Sequence, residues 1–236
     1  MKRFTLIELL VVIAVIAILS SLLLPSLGKA RRTSQTAVSM GNMKQINMAM
    51  FMYLDDNKGR FPPGRSPVNY AWDDYISSYL GIEMTEAEKA AANPTYRASF
   101  NLLKCPLDDI PRVNGNGIPR SYQVNSYTTG GSKRTFDYST PLYVQELPDP
   151  TATIIINEQV KSHNPVGSGS NVIMMHDTNL VEVTTGIVLS GGVQYNANHH
   201  KNGFKNPVVL ADGHAEIMYM PTTTVNNNYL WNSKVY

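Results

Sequence analysis

Histidine and carboxylate side chains near the carboxyl end of the chain have the residue types of a metal site. His199 and His200 precede Asp212 and His214, and the last two lie two apart, so in a strand they face the same side. A hairpin could add His200 and complete a three-ligand His/Asp set that zinc accepts. The chain offers no cysteine partner, however, and Asp212-Gly213 is typical of a tight β-turn. We therefore predict a turn at Asp212-Gly213 and no metal.

Other chemical signals in the sequence are weaker. Asp108, Asp109 and Asp137 carry oxygen ligands of the kind that calcium prefers, but no spaced Asp/Asn/Gly loop is present. Trp72 and the tyrosines could form a sugar-binding face, although aromatic residues at helical spacing more often belong to a core. No glycine-rich phosphate loop, Ser/His/Asp arrangement or acid/base pair of carboxylates can be defended. We predict no enzyme and no cofactor.

Composition limits the remaining function classes. The chain has 236 residues, enough for one ordinary domain and an anchor. Its net charge of +2 gives no argument for binding nucleic acid. Cys105 is the only cysteine, so no intramolecular disulfide can form, and we predict a buried, inert thiol.

A lone carboxylate inside a long apolar run is the strongest signal. Between positions 9 and 24 the only polar residues are serines. With positions 4–7 the run reaches the ~20 residues that a membrane-spanning helix needs. Glu8 lies inside the amino-terminal end of this run, where a charge costs roughly 2.5–3.5 kcal/mol on insertion scales. Such a charge normally has a partner or a function.

The segment Phe4-Thr5-Leu6-Ile7-Glu8-Leu9-Leu10, followed by an apolar run and Pro25, resembles the amino-terminal segment of type IV pilins and type II secretion pseudopilins. The resemblance implies cleavage by a prepilin peptidase before Phe4 and methylation of the new terminus. It also implies that Glu8 pairs with the amino terminus of a neighbouring subunit as helices stack. The family has Gly before the cut, where this chain has Arg3, so cleavage stays open.

The same resemblance implies a location and partners. The helix would cross the bacterial inner membrane once, with the amino terminus in the cytoplasm and the globular domain outside it. Copies of this chain, or related pilins, would then assemble into an extracellular or periplasmic helical filament. A pilus and a secretion pseudopilus both fit, as do a major and a minor subunit.

Further segments are similar to a bacterial pseudopilin-like subfamily. Leu103-Lys104-Cys105-Pro106-Leu107-Asp108 and Ser121-Tyr122-Gln123-Val124-Asn125 carry its Cys-Pro and Ser-Tyr-x-x-Asn patterns. Near the carboxyl end, His200 precedes Asp212-Gly213 at a spacing slightly longer than in the subfamily's processing-associated motif. The role of this motif stays open.

Plainer interpretations of the first helix remain. A secretory signal has a basic start, an apolar region and small residues before its cut, and Gly28-Lys29-Ala30 fits that rule loosely. The apolar run exceeds the usual 7–15 residues, and Glu8 has no use in a signal. A plain single-span membrane anchor requires only that its helix be apolar. The alternative to a polymerising subunit is thus a membrane-anchored or secreted binding module for a carbohydrate or another surface ligand.

An α+β fold should position these residues. We predict one helix over 4–55, which Pro25 kinks without ending and Gly59 terminates. Residues 1–28 would form a leader and the transmembrane, assembly half of the helix, and 29–236 a pilin-like globular domain that includes its amphipathic half. Shorter helices are expected at 71–80 and 85–92. Strands are expected at 153–157, 172–175, 180–184, 187–189, 208–210 and 215–219.

Overall fold

The computed structural model describes residues 5–64, 70–91, 94–112, 117–124, 141–147, 149–151, 153–158, 166, 187–190, 193–196 and 205–219. In this part of the chain the architecture is α+β, as the sequence predicts. The helices are α1 (Leu6–Asp56), α2 (Trp72–Ile76) and α3 (Glu86–Ala91), with 3-10 turns at Ser78–Leu80, Ala98–Leu103 and Val144–Glu146. The strands are β1 (Tyr122–Val124), β2 (Ile154–Glu158), β3 (Ile187–Ser190), β4 (Val193–Asn196), β5 (Lys205–Leu210) and β6 (Ala215–Tyr219).

The long helix α1 runs for 51 residues and passes through Pro25 without ending, as predicted. At 1.5 Å per residue it is about 76 Å long. It ends in a Schellman motif, in which the amide of Gly59 donates to the carbonyl of Leu54 at 2.7 Å. Lys58, with φ +57, takes the left-handed position just before Gly59, which itself has φ +79. The stop at Gly59 is therefore confirmed, with one additional residue in the left-handed region.

Strands β1, β2, β5 and β6 form an antiparallel sheet in the order β1-β2-β5-β6, and β3 pairs with β4 in a separate ribbon. The strands predicted at 153–157, 187–189, 208–210 and 215–219 are confirmed to within three residues at each end. Those predicted at 172–175 and 180–184 lie outside the described residues.

The core lies between one face of the sheet and the carboxyl-terminal half of α1. Met43, Ile46 and Met50 are fully buried there against β-strand residues such as Ile156 and Val209. These α1 residues recur at spacings of three and four, so they lie on one helix face. Because burial in α1 starts only at Ser39, the helix divides into a docked half and an exposed half.

Short helices cover the end of α1. Trp72 and Ile76 of α2 are buried in the same core, as their spacing predicts. The predicted capping box of α3 is confirmed, because Glu88 N donates to Thr85 Oγ1 at 3.2 Å and Thr85 N donates to Glu88 Oε2 at 2.9 Å. Helix α2 and the 3-10 turn at Ser78–Leu80 therefore pack against the carboxyl-terminal half of α1.

Candidate membrane and assembly helix

The amino-terminal half of α1 exposes a continuous apolar surface. Its large apolar side chains from Leu6 to Leu27 are 49–78% exposed, and α1 is long and apolar enough to cross a membrane. Burying a side chain of this size is worth about 1.5–3 kcal/mol, so exposing this many to water is costly. This half of α1 needs lipid or another apolar surface around it.

Two serine residues in this apolar half donate their hydroxyl protons to backbone carbonyls of the same helix. Ser21 Oγ donates to the carbonyl of Ile18 at 2.7 Å, and Ser26 Oγ donates to the carbonyl of Leu23 at 2.9 Å. Neither hydroxyl therefore brings an unpaired donor into an apolar environment. Pro25 has no N–H, so the carbonyl of Ser21 loses its helical partner and marks the weakest point of the backbone ladder.

Glu8 caps the start of α1. Thr5 N donates to Glu8 Oε2 at 2.8 Å, Thr5 Oγ1 donates to the same oxygen at 2.7 Å, and Glu8 N donates to Thr5 Oγ1 at 3.2 Å. This is a capping box, and it satisfies two otherwise unpaired amides of the helix start. Both residues lie after the cleavage position predicted before Phe4, so processing would leave the box intact. Within the described residues, Oε1 of Glu8 has no hydrogen-bond partner.

Basic residues follow the apolar run. Lys29 and Arg31 are exposed and Arg32 is half-buried. Side chains of this kind reach from an apolar segment to the polar surface of a membrane. Lys2 and Arg3 flank the other end, so the positive residues do not define an orientation.

A buried polar network holds α1 where it enters the domain. Ser39 Oγ donates to Glu158 Oε2 at 2.8 Å, which leaves Tyr122 as the donor in its 2.9 Å bond to Ser39. Burial, followed by the charge of Glu158, raises the pKa of Tyr122 and of the Cys105 thiol beside it. The thiol is therefore inert at physiological pH, as the sequence predicts for Cys105. Through Ser39, the network ties α1 to β1 and β2.

The β5–β6 hairpin contacts α1 further along. The Gly213 amide donates to the Leu210 carbonyl at 3.0 Å, and the His214 amide donates to Asp212 Oδ1 at 3.1 Å. Gly213 has φ +99, and a Cβ at this position would lie 3.0 Å from Phe51 Cε2. The turn predicted at Asp212-Gly213 is confirmed. The glycine has a further role, because it lets the turn approach α1 closely.

Asp212 and His214 also interact through their side chains. His214 Nδ1 lies 2.8 and 2.9 Å from the two carboxylate oxygens of Asp212. Desolvation raises the pKa of Asp212, but the hydrogen bonds and charge of His214 outweigh it, so this pKa lies below its ordinary value. The charged carboxylate is thus satisfied within the turn.

The metal interpretation stays untested, because His199, His200 and the calcium candidate Asp137 lie outside the described residues. In the described ranges, no group of three His, Cys, Asp or Glu side chains is placed to hold a metal ion. Arg3 and Phe4, at the predicted cleavage position, also lie outside them.

The structure does not bring the predicted site residues together. Glu8 lies in the first turn of α1, whereas Gly213 approaches it at Phe51, roughly 65 Å away along the helix. They belong to two separate features, the exposed apolar half of α1 and a hairpin that contacts its docked half. Pro25 lies between them, in the exposed half.

Buried ion pairs form a feature that the sequence patterns did not predict. Arg120 pairs with Asp73, Arg112 pairs with Asp108, and all four side chains are fully buried. The Arg120 guanidinium also lies 5.4 Å from the centre of the Trp72 ring. Nothing in the sequence couples partners as distant as Asp73 and Arg120. The Cys-Pro and Ser-Tyr segments, which lie beside Asp108 and Arg120, were the available signal.

None of the protein-family models, curated proteins or solved structures with which the chain was compared matches it.

Proposed function

We propose that this chain is a membrane-anchored, pilin-like subunit that polymerises through the amino-terminal half of α1. The observation that carries the proposal is the division of one unbroken helix into a docked half and an exposed apolar half. A plain anchor also needs an apolar helix, but it does not need the globular domain to be fixed rigidly to it. Here Ser39 and Phe51 contact the domain, so movement of the helix would carry the domain with it.

In the proposed cycle, α1 first spans the inner membrane and the domain lies outside the cytoplasm. Assembly then exchanges lipid for the apolar helices of other subunits, which need not change the amount of apolar surface removed from water. Glu8 sets the register of this exchange. One of its oxygens caps the helix, and Oε1 pairs with a cationic group of a neighbouring subunit. That group is the amine of Phe4 if the leader is cleaved, or a cation of the leader if it is not.

Three substitutions separate the two roles of Glu8. Glu8→Gln keeps an oxygen for the Thr5 amide and removes the charge, Thr5→Ala weakens the cap by about 1 kcal/mol and keeps the charge, and Glu8→Val removes both. We expect all three variants to insert into the membrane. Thr5→Ala should assemble, whereas Glu8→Gln and Glu8→Val should not. The measurement is the amount of subunit in sheared filament fractions relative to the membrane fraction.

Normal assembly of Glu8→Gln would show that the charge has no partner and that Glu8 serves only as a cap. Intact-mass measurement of native protein in the same preparation reads the amino terminus and any methylation, and so decides whether Arg3 permits cleavage.

Cross-linking tests polymerisation itself. Cys105 is buried and its raised pKa makes it unreactive, so a single cysteine introduced along the apolar half is the reactive thiol of each variant. A polymer should give disulfide-linked dimers with a helical period of 3.6 residues along the scanned positions. A non-polymerising anchor for a binding module should give none, and that result would favour the alternative function.

A further inference from the structure

A cleft of about 390 Å³ lies at the carboxyl end of α1. This volume falls within the roughly 300–1,000 Å³ that is typical of small-molecule sites. The end of α1 and the residues after it form one wall, and Tyr75 of α2 and Tyr143 form others. The cleft is far from Glu8, so its capacity to hold a ligand is independent of how α1 assembles.

Tyrosine rings supply the apolar surface of the cleft. The rings of Tyr53 and Tyr75 meet edge to face with centroids 6.1 Å apart, and Tyr143 is 38% exposed. In the described part of the chain, none of these three hydroxyl groups has a hydrogen-bond partner. Burial, with the neighbouring Tyr75 and Tyr79, raises the pKa of Tyr53 to about 12, so its hydroxyl stays a donor at physiological pH. The cleft thus combines aromatic surface with available hydroxyl groups.

Cations lie beside these rings. The Arg60 guanidinium lies 5.8 Å from the centre of the Tyr143 ring, and its Nε donates to the Pro141 carbonyl at 3.3 Å. Among the described residues, no carboxylate pairs with Arg60 or with Lys58, which is exposed. The carboxylate of Asp56 accepts a hydrogen bond from the Tyr79 hydroxyl at 2.6 Å. The lining thus carries two cations, Lys58 and Arg60, and one carboxylate, Asp56, so its net positive charge favours an anionic ligand and disfavours a cationic one.

The walls of the cleft are tied to each other. Gly59 accepts a hydrogen bond from Val144 N at 2.7 Å, and Phe61 N donates to the Leu142 carbonyl at 3.0 Å. These bonds flank a β-bridge between Arg60 and Tyr143. The backbones of Arg60 and Tyr143 are therefore positioned before any ligand binds, which lowers the ordering cost of binding.

We propose that this cleft binds an acidic saccharide. The apolar face of a pyranose ring would lie on the tyrosine rings, and its carboxylate would accept charge-assisted hydrogen bonds from Arg60 and Lys58. The ring hydroxyls would bond to the tyrosine hydroxyls and to Asp56. A neutral sugar would leave Arg60 without its anion, and a simple carboxylate would leave the rings uncovered.

The test is calorimetric titration of the full chain in polyoxyethylene-detergent micelles, because alkyl-glycoside detergents would themselves present sugars. A galacturonic acid trisaccharide should bind saturably, and the neutral galactose trisaccharide should bind at least about tenfold more weakly, the loss expected for hydrogen bonds to a charged group. Citrate, which carries carboxylates without a sugar ring, should also bind more weakly. Raising the ionic strength from about 0.01 to 0.15 M should weaken binding of the galacturonic acid trisaccharide, because the Debye length falls from ~30 to ~8 Å.

Matched variants locate the site. Arg60→Gln should weaken binding of the galacturonic acid trisaccharide about tenfold or more, and Tyr143→Ala should weaken it about threefold to tenfold. Tyr96→Ala is the control for the aromatic change, since Tyr96 is 58% exposed and does not line the cleft. Lys44→Gln, an exposed residue of α1, is the control for the charge. Neither control should change the affinity.

Three results would overturn the proposal: no binding of the acidic trisaccharide at millimolar concentration, equal affinity for the neutral sugar or citrate, and unchanged affinity in the cleft variants. Thermal unfolding of each variant reports whether it folds. Should Arg60→Gln unfold, Lys58→Gln replaces it, because Lys58 is exposed and can be changed without disturbing the core.

Discussion

Substitution of Gly213 tests whether the β5–β6 hairpin needs a glycine to reach α1. With φ +99, an L-residue at this position costs about 1–3 kcal/mol in backbone strain. Its Cβ would also lie 3.0 Å from Cε2 and 3.3 Å from Cζ of Phe51, closer than ordinary contact. Phe51 is 37% exposed, so its ring can move, at about 0.5–1.5 kcal/mol for an off-rotamer side chain. Gly213→Ala should therefore destabilise the domain by about 1.5–4.5 kcal/mol, and Gly213→Val by more.

Gly81 is the matched control. It has φ +66, and a Cβ there would meet no heavy atom within 4 Å, so Gly81→Ala carries the backbone strain without the contact. In a Phe51→Ala background, the cost of Gly213→Ala should fall towards that of Gly81→Ala. The assay is guanidinium unfolding of the full chain in micelles, followed by tyrosine and tryptophan fluorescence, with midpoints compared at equal slope.

Two results would refute this reasoning at different steps. A Gly213→Ala variant within about 0.5 kcal/mol of wild type would show that the turn tolerates a side chain, against the positive φ. An unchanged cost of Gly213→Ala in the Phe51→Ala background would show that the ring of Phe51 does not limit the approach.

The remaining predictions concern Asp74 and His200. Burial and the neighbouring Asp73 raise the pKa of Asp74 from 3.8 to about 8, so the folded state holds a proton that the unfolded state loses. The free energy of unfolding that this group contributes should fall as pH rises from about 4 to about 8, by at most ~1.4 kcal/mol per pH unit. Asp74→Asn should remove that part of the pH profile. Parallel profiles for the wild type and the variant would contradict the raised pKa of Asp74. His200→Ala should change the unfolding free energy by less than about 0.5 kcal/mol and leave the metal content unchanged, whereas one equivalent of zinc or calcium lost in the variant by elemental analysis would establish a metal site.

Local patterns predicted α1 and α3 well, whereas the helix predicted at 71–80 is divided into α2 and the 3-10 turn at Ser78–Leu80. The bounds of α1 differ from the prediction by at most two residues, because apolar periodicity and the Gly59 stop are both encoded within a few positions. The Thr85/Glu88 capping box was equally local. The capping box at Thr5 and Glu8 was not predicted, although the same Thr-x-x-Glu pattern encodes it.

Contacts between distant segments could not be predicted. The Cys-Pro and Ser-Tyr segments meet in space, where Ser121 Oγ donates to Asp108 Oδ2 at 2.5 Å and accepts from the Cys105 amide at 2.8 Å. The motifs indicated that these residues are important, but not that they contact each other. The same holds for the cleft, since Tyr53 and Tyr143 belong to segments whose proximity depends on the whole fold.

The contacts at Ser39 and Phe51 together fix the direction of the docked half of α1. They lie twelve residues apart, or about 18 Å along the helix. A helix held at one point can pivot about it, whereas a helix held at two separated points keeps its tilt against the domain. In a polymer built on the apolar half, that tilt determines where each domain lies relative to its neighbours. The buried carboxylate of Glu158 and the glycine of the hairpin, both unfavourable in isolation, therefore make physical sense as two attachments of the docked half of α1 to the domain.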